Sequence, residues 1–450
     1  MISLAIKNIL RASGVQIGLA LILVLGVVSL FVGKQFADKN IKDFTETADF
    51  QKVSLQRNAD NHKEEIGYML YYAKFSIVNE ALPITSLAIG QRDVNATIKS
   101  LTIRGLEAQK YDSELNNPFN LLIGNIDFSF VLIYLFPLLI IAFTYNIISE
   151  EKESGTWNIV MVQSSDPFLW IVKLFIIRVL LIIGVLLLLL ILAVLFLNIP
   201  LNQTFFAFVS IALLYIIFWF GLCFWVASLQ KSSNFNALVL LTSWIALLIV
   251  IPAALNNYLT NKYPVPEALD TTVKQRKGYH EKWDMNKQTT LNSFYKHYPQ
   301  FKKYTLPSED FNWLIYYAMQ QLGDDEVAVQ SSNLHEKLQK REAESLKIAQ
   351  FFPSLHAQIQ LNELANSGLG NQLKFMDETA SFHEKLRLYF YPKIFENGAS
   401  TDENWVEFKP QIYQEKSYIN WLKMLLPLLI ISTLCVFWGK LKFSKDMMAR

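Results

Sequence analysis

Six stretches of this chain are so long and so free of charge that the solvent around them, rather than local propensity, decides what they form. A helix crossing a hydrocarbon layer of roughly 30 Å needs about 20 consecutive, mostly apolar residues. The runs Gly14–Gly33, Phe128–Ile148, Val179–Leu197, Phe205–Leu229 and Phe235–Leu255 meet that demand, and a sixth around Tyr418–Gly439 has a shorter uncharged core, MLLPLLIISTLCVFWG. Lys423 stands at its start, where a long side chain can reach the headgroups. Hydrocarbon offers backbone amides no partner, so runs this continuously apolar must be helices and not alternating barrel strands. The composition agrees, with 52% hydrophobic and 18% charged residues and a mean hydropathy of +0.24, too apolar for an ordinary soluble protein.

Orientation is read from Lys and Arg beside the spans. With the N-terminus in the cytoplasm, the short inside segments carry ten basic residues, Lys7, Arg11, Lys152, Lys173, Arg178, Lys231, Lys440, Lys442, Lys445 and Arg450. The short outside loop NIPLNQT, 198–204, carries none. The expected fold is an all-α polytopic membrane protein with six transmembrane helices, both termini cytoplasmic and a large, mostly helical extracytoplasmic domain. Its order is 1–13, a cytoplasmic amphipathic helix; 14–34, the first span; 35–127, a first outer region; 128–255, spans two to five with a cytoplasmic loop at 149–172; 256–417, a second outer region; 418–440, the last span; and 441–450, a cytoplasmic tail. A cleaved signal peptide is disfavoured, because the first apolar run is long and no A-x-A-like site follows it.

In the outer regions Lys39–Tyr72 reads as a helix continuing the first span, and Leu334, Leu338, Leu346 and Ile348 are helically spaced among charges. Pro264, Pro266, Pro307 and Pro353 read as breaks. Cys223 and Cys435 both fall inside spans, out of place for an outer disulfide. The six histidines, His62, His280, His297, His335, His356 and His383, lie in the outer regions without metal-ligand spacing, and chance surface placement is the preferred reading.

The segment SEEKESGTW, 149–157, has its own punctuation. Gly155 permits a sharp bend, Thr156 can cap the short helix TWNIVMVQ, and Ser165 or Asp166 can cap a further helix with Pro167 at its first position. Solvation alone would account for a charged re-entry loop. The same residues resemble the E-x-E-x-G-T-L loop of type 2 ABC-transporter permeases: Glu151, Glu153, Gly155 and Thr156 match, Trp157 replaces Leu, and Ser164-Ser165-Asp166 replaces a Pro-containing turn. The resemblance implies a coupling helix that enters a groove of a cytoplasmic ATPase, with Glu151, Glu153, Gly155, Thr156 and Trp157 as contacts and residues 1–13 as an elbow helix. Segment 351–398 is similar to a bacterial permease subgroup with a large uncharacterised extracytoplasmic insertion, through Phe382, His383, Arg387 and Pro392. Members are commonly encoded beside an ATPase and a sister permease.

No phosphate-binding G-x-x-x-x-G-K-[ST] run occurs, so the resemblance places ATP and Mg in a partner chain and no cofactor in this one. An enzyme is not expected, since no G-x-S-x-G, H-E-x-x-H or intramembrane carboxylate pair is present. The expected function is the permease of an ABC transporter in the bacterial inner membrane, exporting or extracting a substrate. The alternative is a non-transporting subunit that drives an envelope partner through the outer domain, and secondary transport ranks third. The expected partners are a cytoplasmic ABC ATPase, a second permease chain (a copy of this one or a sister), and a periplasmic or outer-membrane protein; nucleic acid is not expected. Within the spans, Asn146, Ser210, Thr242 and Ser243 are expected to cap or bridge helices. The aromatic fourth span, with Tyr215, Phe218, Trp219, Phe220 and Trp225, is expected to pack or face lipid rather than line a path.

Overall fold

The computed structural model describes residues 11–110, 125–163, 166–266, 283, 285–306, 311–415 and 418–448. The elbow-helix expectation at 1–13 falls largely outside these residues, as do Pro307 and His280.

Six helices are long and apolar enough to cross a membrane: Ser13–Asn61, Phe128–Glu153, Pro167–Leu197, Gln203–Ser228, Ser233–Lys262 and Trp421–Phe443. The second and fourth are central, with 67% of their most apolar stretch buried, against 11% for the fifth. The fourth span's Tyr215, Phe218, Trp219 and Phe220 are all buried, so its aromatic face is packing surface. Small residues let the last span approach it: a Cβ on Gly221 would lie 3.3 Å from the Ser432 carbonyl oxygen. Ser210 and Ser243 donate to carbonyls four residues back in their own helices, and Asn146 donates to Glu150.

Proline shapes the second span. Pro137 has no N–H to offer the helix ladder, and the turn before it, Val131–Leu135, widens into a π-helix. The Ile133 carbonyl instead accepts the Tyr215 hydroxyl at 2.8 Å, and the Tyr134 carbonyl accepts Trp244 Nε1 at 3.0 Å. Two otherwise apolar neighbours are thereby tied to this span.

The first helix runs without interruption well past its apolar half, to Asn61, and its far end buries Leu55 and Ala59 in a second core. The stretch 39–72, read as one helix, is instead broken at 62–65, and a separate short helix runs Ile66–Tyr72. Gly67 serves close packing, since a Cβ there would sit 2.5 Å from the Trp313 ring. The second core is aromatic, built from Phe75, Phe294, Tyr317, Phe390, Tyr391 and Trp405 among others. The distal domain around it contains the helices Lys287–His297, Trp313–Ala349 and Leu369–Phe395. It also contains a small sheet that the sequence reading missed, in order β2-β1-β3: β1 Phe75–Asn79, β2 Ile98–Leu101 antiparallel to it, and β3 Gln411–Tyr413 parallel to it.

A helix between two of the distal domain's long helices enters the membrane bundle. Pro353–Leu364 begins at the expected proline break and buries Ala357, Leu361 and Leu364 in the membrane bundle's core. His356 on this helix meets the Met424 carbonyl of the last span at 2.8 Å.

Candidate functional site

The loop after the second span lies at the end of the bundle opposite the distal domain. Short helices Ser149–Glu153 and Trp157–Gln163 are separated by Gly155, whose φ of +77° is left-handed backbone that suits a residue without a side chain. Glu153 reaches across to the start of the fifth span, where Oε1 accepts the Ser233 N–H at 2.7 Å and Oε2 accepts the Ser233 hydroxyl at 2.8 Å. A carboxylate at a helix N-terminus satisfies an orphan donor and meets the positive end of the helix dipole. The Ser149 and Ser233 hydroxyls are 2.8 Å apart, and Lys152 Nζ donates to Gln230 Oε1 at 2.6 Å. The loop is thus bound to the turn between the fourth and fifth spans.

Glu151 plays a different part. Its carboxylate and carbonyl both accept the Thr156 hydroxyl. The expected cap at Thr156 is therefore corrected: the hydroxyl staples the loop to Glu151, while the Thr156 carbonyl accepts the Ile159 N–H at 3.0 Å and opens the next helix. Trp157 is buried, packed into the bundle's core beneath Lys152, whose ammonium lies 5.6 Å from the ring centroid. With Trp157 turned inward, Ile159 (55%) and Val162 (86%) are left exposed on one face of Trp157–Gln163. Sequence reasoning missed those two. Their spacing of three residues on a helix anchored by Trp157 was the available signal. The climb back into the membrane is as read: Asp166 accepts from the N–H groups of Phe168 and Leu169 at 2.9 and 3.2 Å, ahead of Pro167. Ser165 lies outside the described residues. Arg178 then donates to the Phe143 carbonyl at 2.7 Å, joining the third span to the second.

The distal motif residues meet as well. Phe382 is partly buried against the aromatic core. Arg387 donates to the carbonyls of Ile103 (3.2 Å) and Arg104 (2.7 Å), to Asp324 Oδ2 (2.8 Å) and to Gln321. Asp324 accepts the N–H groups of Leu106 and Glu107, capping the helix Leu106–Lys110. One turn before Arg387, His383 Nε2 lies 3.0 Å from the Thr102 carbonyl, and burial together with Arg387 holds its pKa well below the usual histidine range. Chance surface placement is thus corrected for His356 and His383, both 1% exposed. Among the described residues no group of His, Cys, Asp and Glu is arranged to hold a metal ion.

A further polar cluster forms where the distal domain meets the bundle. The carboxylates of Glu342 and Glu363 converge beside Gly370, and Glu415 pairs with Lys374 nearby. Burial, then the charges of Glu342 and Glu415, push Glu363 up to about 7, with Lys374 opposing. The folded chain therefore holds a proton that the unfolded chain releases near the ordinary value of 4.5. Stability should fall as pH rises from about 5 to 7, by at most about 1.4 kcal/mol per pH unit. Thermal unfolding of Glu363→Gln across that range should show a flatter profile than the parent.

A family model described as ABC-2 family transporter protein matches residues 6–313, and one described as a domain of unknown function, DUF3526, matches residues 268–414. No curated protein and no solved structure matches the chain.

Proposed function

Since this chain belongs to the ABC-2 family of transporter proteins, and so is a multi-pass membrane permease component, we propose that it is driven by a separate cytoplasmic ATPase that docks on the loop 149–163. The observation that carries this reading is the joint placement of Ile159 and Val162, exposed on a short helix, with Glu153, which binds the preceding helix of the same loop to the fifth span. A push on the helix reaches the fifth span through Glu153 and the bundle through Trp157. Closure of two ATPase subunits on bound ATP and Mg would rock the spans between inward and outward states. The loop end of the bundle, with its flanking Lys and Arg, then faces the cytoplasm, the distal domain faces outward, and the membrane is the bacterial inner one. A second permease chain, identical or sister, completes the transporter, which exports its cargo or extracts it from the membrane.

One observation favours a second reading, mechanical drive of an envelope partner without transport: helix Pro353–Leu364 ties the distal domain directly into the bundle. The two readings separate in liposomes, where transport requires an ATPase stimulated by substrate and mechanical drive requires one stimulated by a protein partner.

The test is affinity purification from native membranes in mild detergent. The parent chain should bring down a cytoplasmic ATPase. The double variants Glu151→Lys/Glu153→Lys and Ile159→Asp/Val162→Asp should each retain about a tenth of it or less, the loss expected when a docking site forfeits about 1.4 kcal/mol or more. Parent membranes that yield no ATPase would remove the energy source and overturn the proposal.

A further inference from the structure

A cleft of about 310 Å³ lies between the first helix and the distal sheet, within the size range of small-molecule sites. Ile41 and Phe44 of the helix face Val78, Leu82 and Ile412 across it, and Lys34 stands at one end. That end coincides with the edge of the hydrocarbon layer. Leu197, the last residue of the third span, contributes to the lining, and Asn198 turns the chain with φ 51° just beyond it. At the same level Gly33 lets the first helix touch the turn Pro83–Leu87, a Cβ there falling 2.2 Å from the Ser86 carbonyl oxygen. Counting from Gly33 at 1.5 Å per residue, the cleft extends about 16 Å beyond that edge to Phe44.

We propose that this cleft holds the acyl chain of an amphiphile drawn from the adjacent leaflet, which makes the cargo lipid-like. The assignment of the occupant as cargo rests on the permease reading above. Three observations identify the occupant as an acyl chain. Ile41 (65%) and Ile412 (47%) remain exposed well outside the span level, where such apolar surface is costly to leave in water. The cleft continues the bilayer-facing surface, since Phe31 and Leu195 are exposed just below it and Phe31 meets Phe196 with ring centroids 4.9 Å apart. Part of its polar lining is already engaged: Asn79 donates to Asn371 at 2.8 Å and accepts from Arg92 at 2.8 Å, and Lys34 is paired with Asp38 at 2.8 Å. A hydrocarbon chain needs only the apolar walls, whereas a polar cargo would compete for groups that are in part already paired.

The complex purified from native membranes would be placed in phosphatidylcholine nanodiscs doped with a phosphatidylcholine carrying a diazirine at the end of one acyl chain, then illuminated without ATP. Lipid merely surrounding the protein keeps that chain end near the bilayer midplane, about 15 Å inside the edge. Label on the peptides holding Phe44 or Val78 therefore requires a chain lying in the cleft. The expected result is such label, reduced about five-fold or more by Ala37→Trp, which fills the cleft, or by Ile41→Glu if that variant misfolds, and unchanged by Leu195→Trp on the bilayer face. Label confined to the spans, or cleft label indifferent to both cleft variants, would overturn the proposal. ATPase recovery in the same sample is read separately. A labelled cleft without ATPase preserves the site and removes the permease reading, while ATPase with an unlabelled cleft removes this inference alone.

Discussion

Asp324→Ala is expected to destabilise the distal domain by about 3–5 kcal/mol, because it strands a buried guanidinium. Arg387 is 3% exposed and Asp324 8%, and their ion pair at 2.8 Å is the charged centre of a clamp holding residues 102–107 on two long helices. Without the carboxylate, the Leu106 and Glu107 N–H groups lose their acceptor at the same moment. The double variant Asp324→Leu/Arg387→Met should be markedly less damaging, because an apolar pair of similar volume leaves no unpaired charge. Trypsin sensitivity and thermal unfolding in detergent would measure both. ATPase recovery should survive in either variant, since the loop 149–163 lies at the other end of the bundle and packs into a separate core. A single variant as stable as the parent would show that the clamp contributes little.

Gly439→Leu should separate the last span from the fourth. A Cβ at 439 would meet the Phe224 ring at 2.7 Å and the Trp225 Cα at 3.2 Å, and the second contact is backbone that cannot rotate away. Spans in lipid gain little from burying apolar surface against one another, so close backbone approach at small residues supplies much of their attraction. Overpacking such a contact costs about 1–3 kcal/mol or more. The variant should lose monodispersity in size-exclusion chromatography, while Gly184→Leu, where nothing lies within 4 Å of the added carbon, should match the parent. Equal behaviour of the two variants would mean that the last span docks elsewhere.

At the candidate site, Gly155 and the Asp166-Pro167 helix start were legible because bends and caps are local chemistry that neighbouring residues decide. The partners of Glu151, Glu153 and Trp157 were not. Glu153 bonds to Ser233, 80 residues away, and no spacing within SEEKESGTW encodes that. His356 and His383 were misjudged for a related reason: lack of ligand spacing argues against a metal, but it does not say whether a ring is on the surface. His383 and Arg387 stand one helical turn apart, which announces a shared face and not what that face meets.

By itself the sequence determined six spanning helices, since a run of about 20 uncharged apolar residues has one stable answer in hydrocarbon. It also determined the helical character of much of the rest, through apolar spacing and proline breaks. Tertiary structure alone decided that β3 pairs with β1 across more than 300 residues, matching Ile77 with Gln411, and that helix Pro353–Leu364 enters the bundle. It likewise decided that an apolar cleft opens where the first helix leaves the membrane. The division follows from range: solvent and near neighbours set each element's type, whereas its partners depend on which distant surfaces the folded chain brings together.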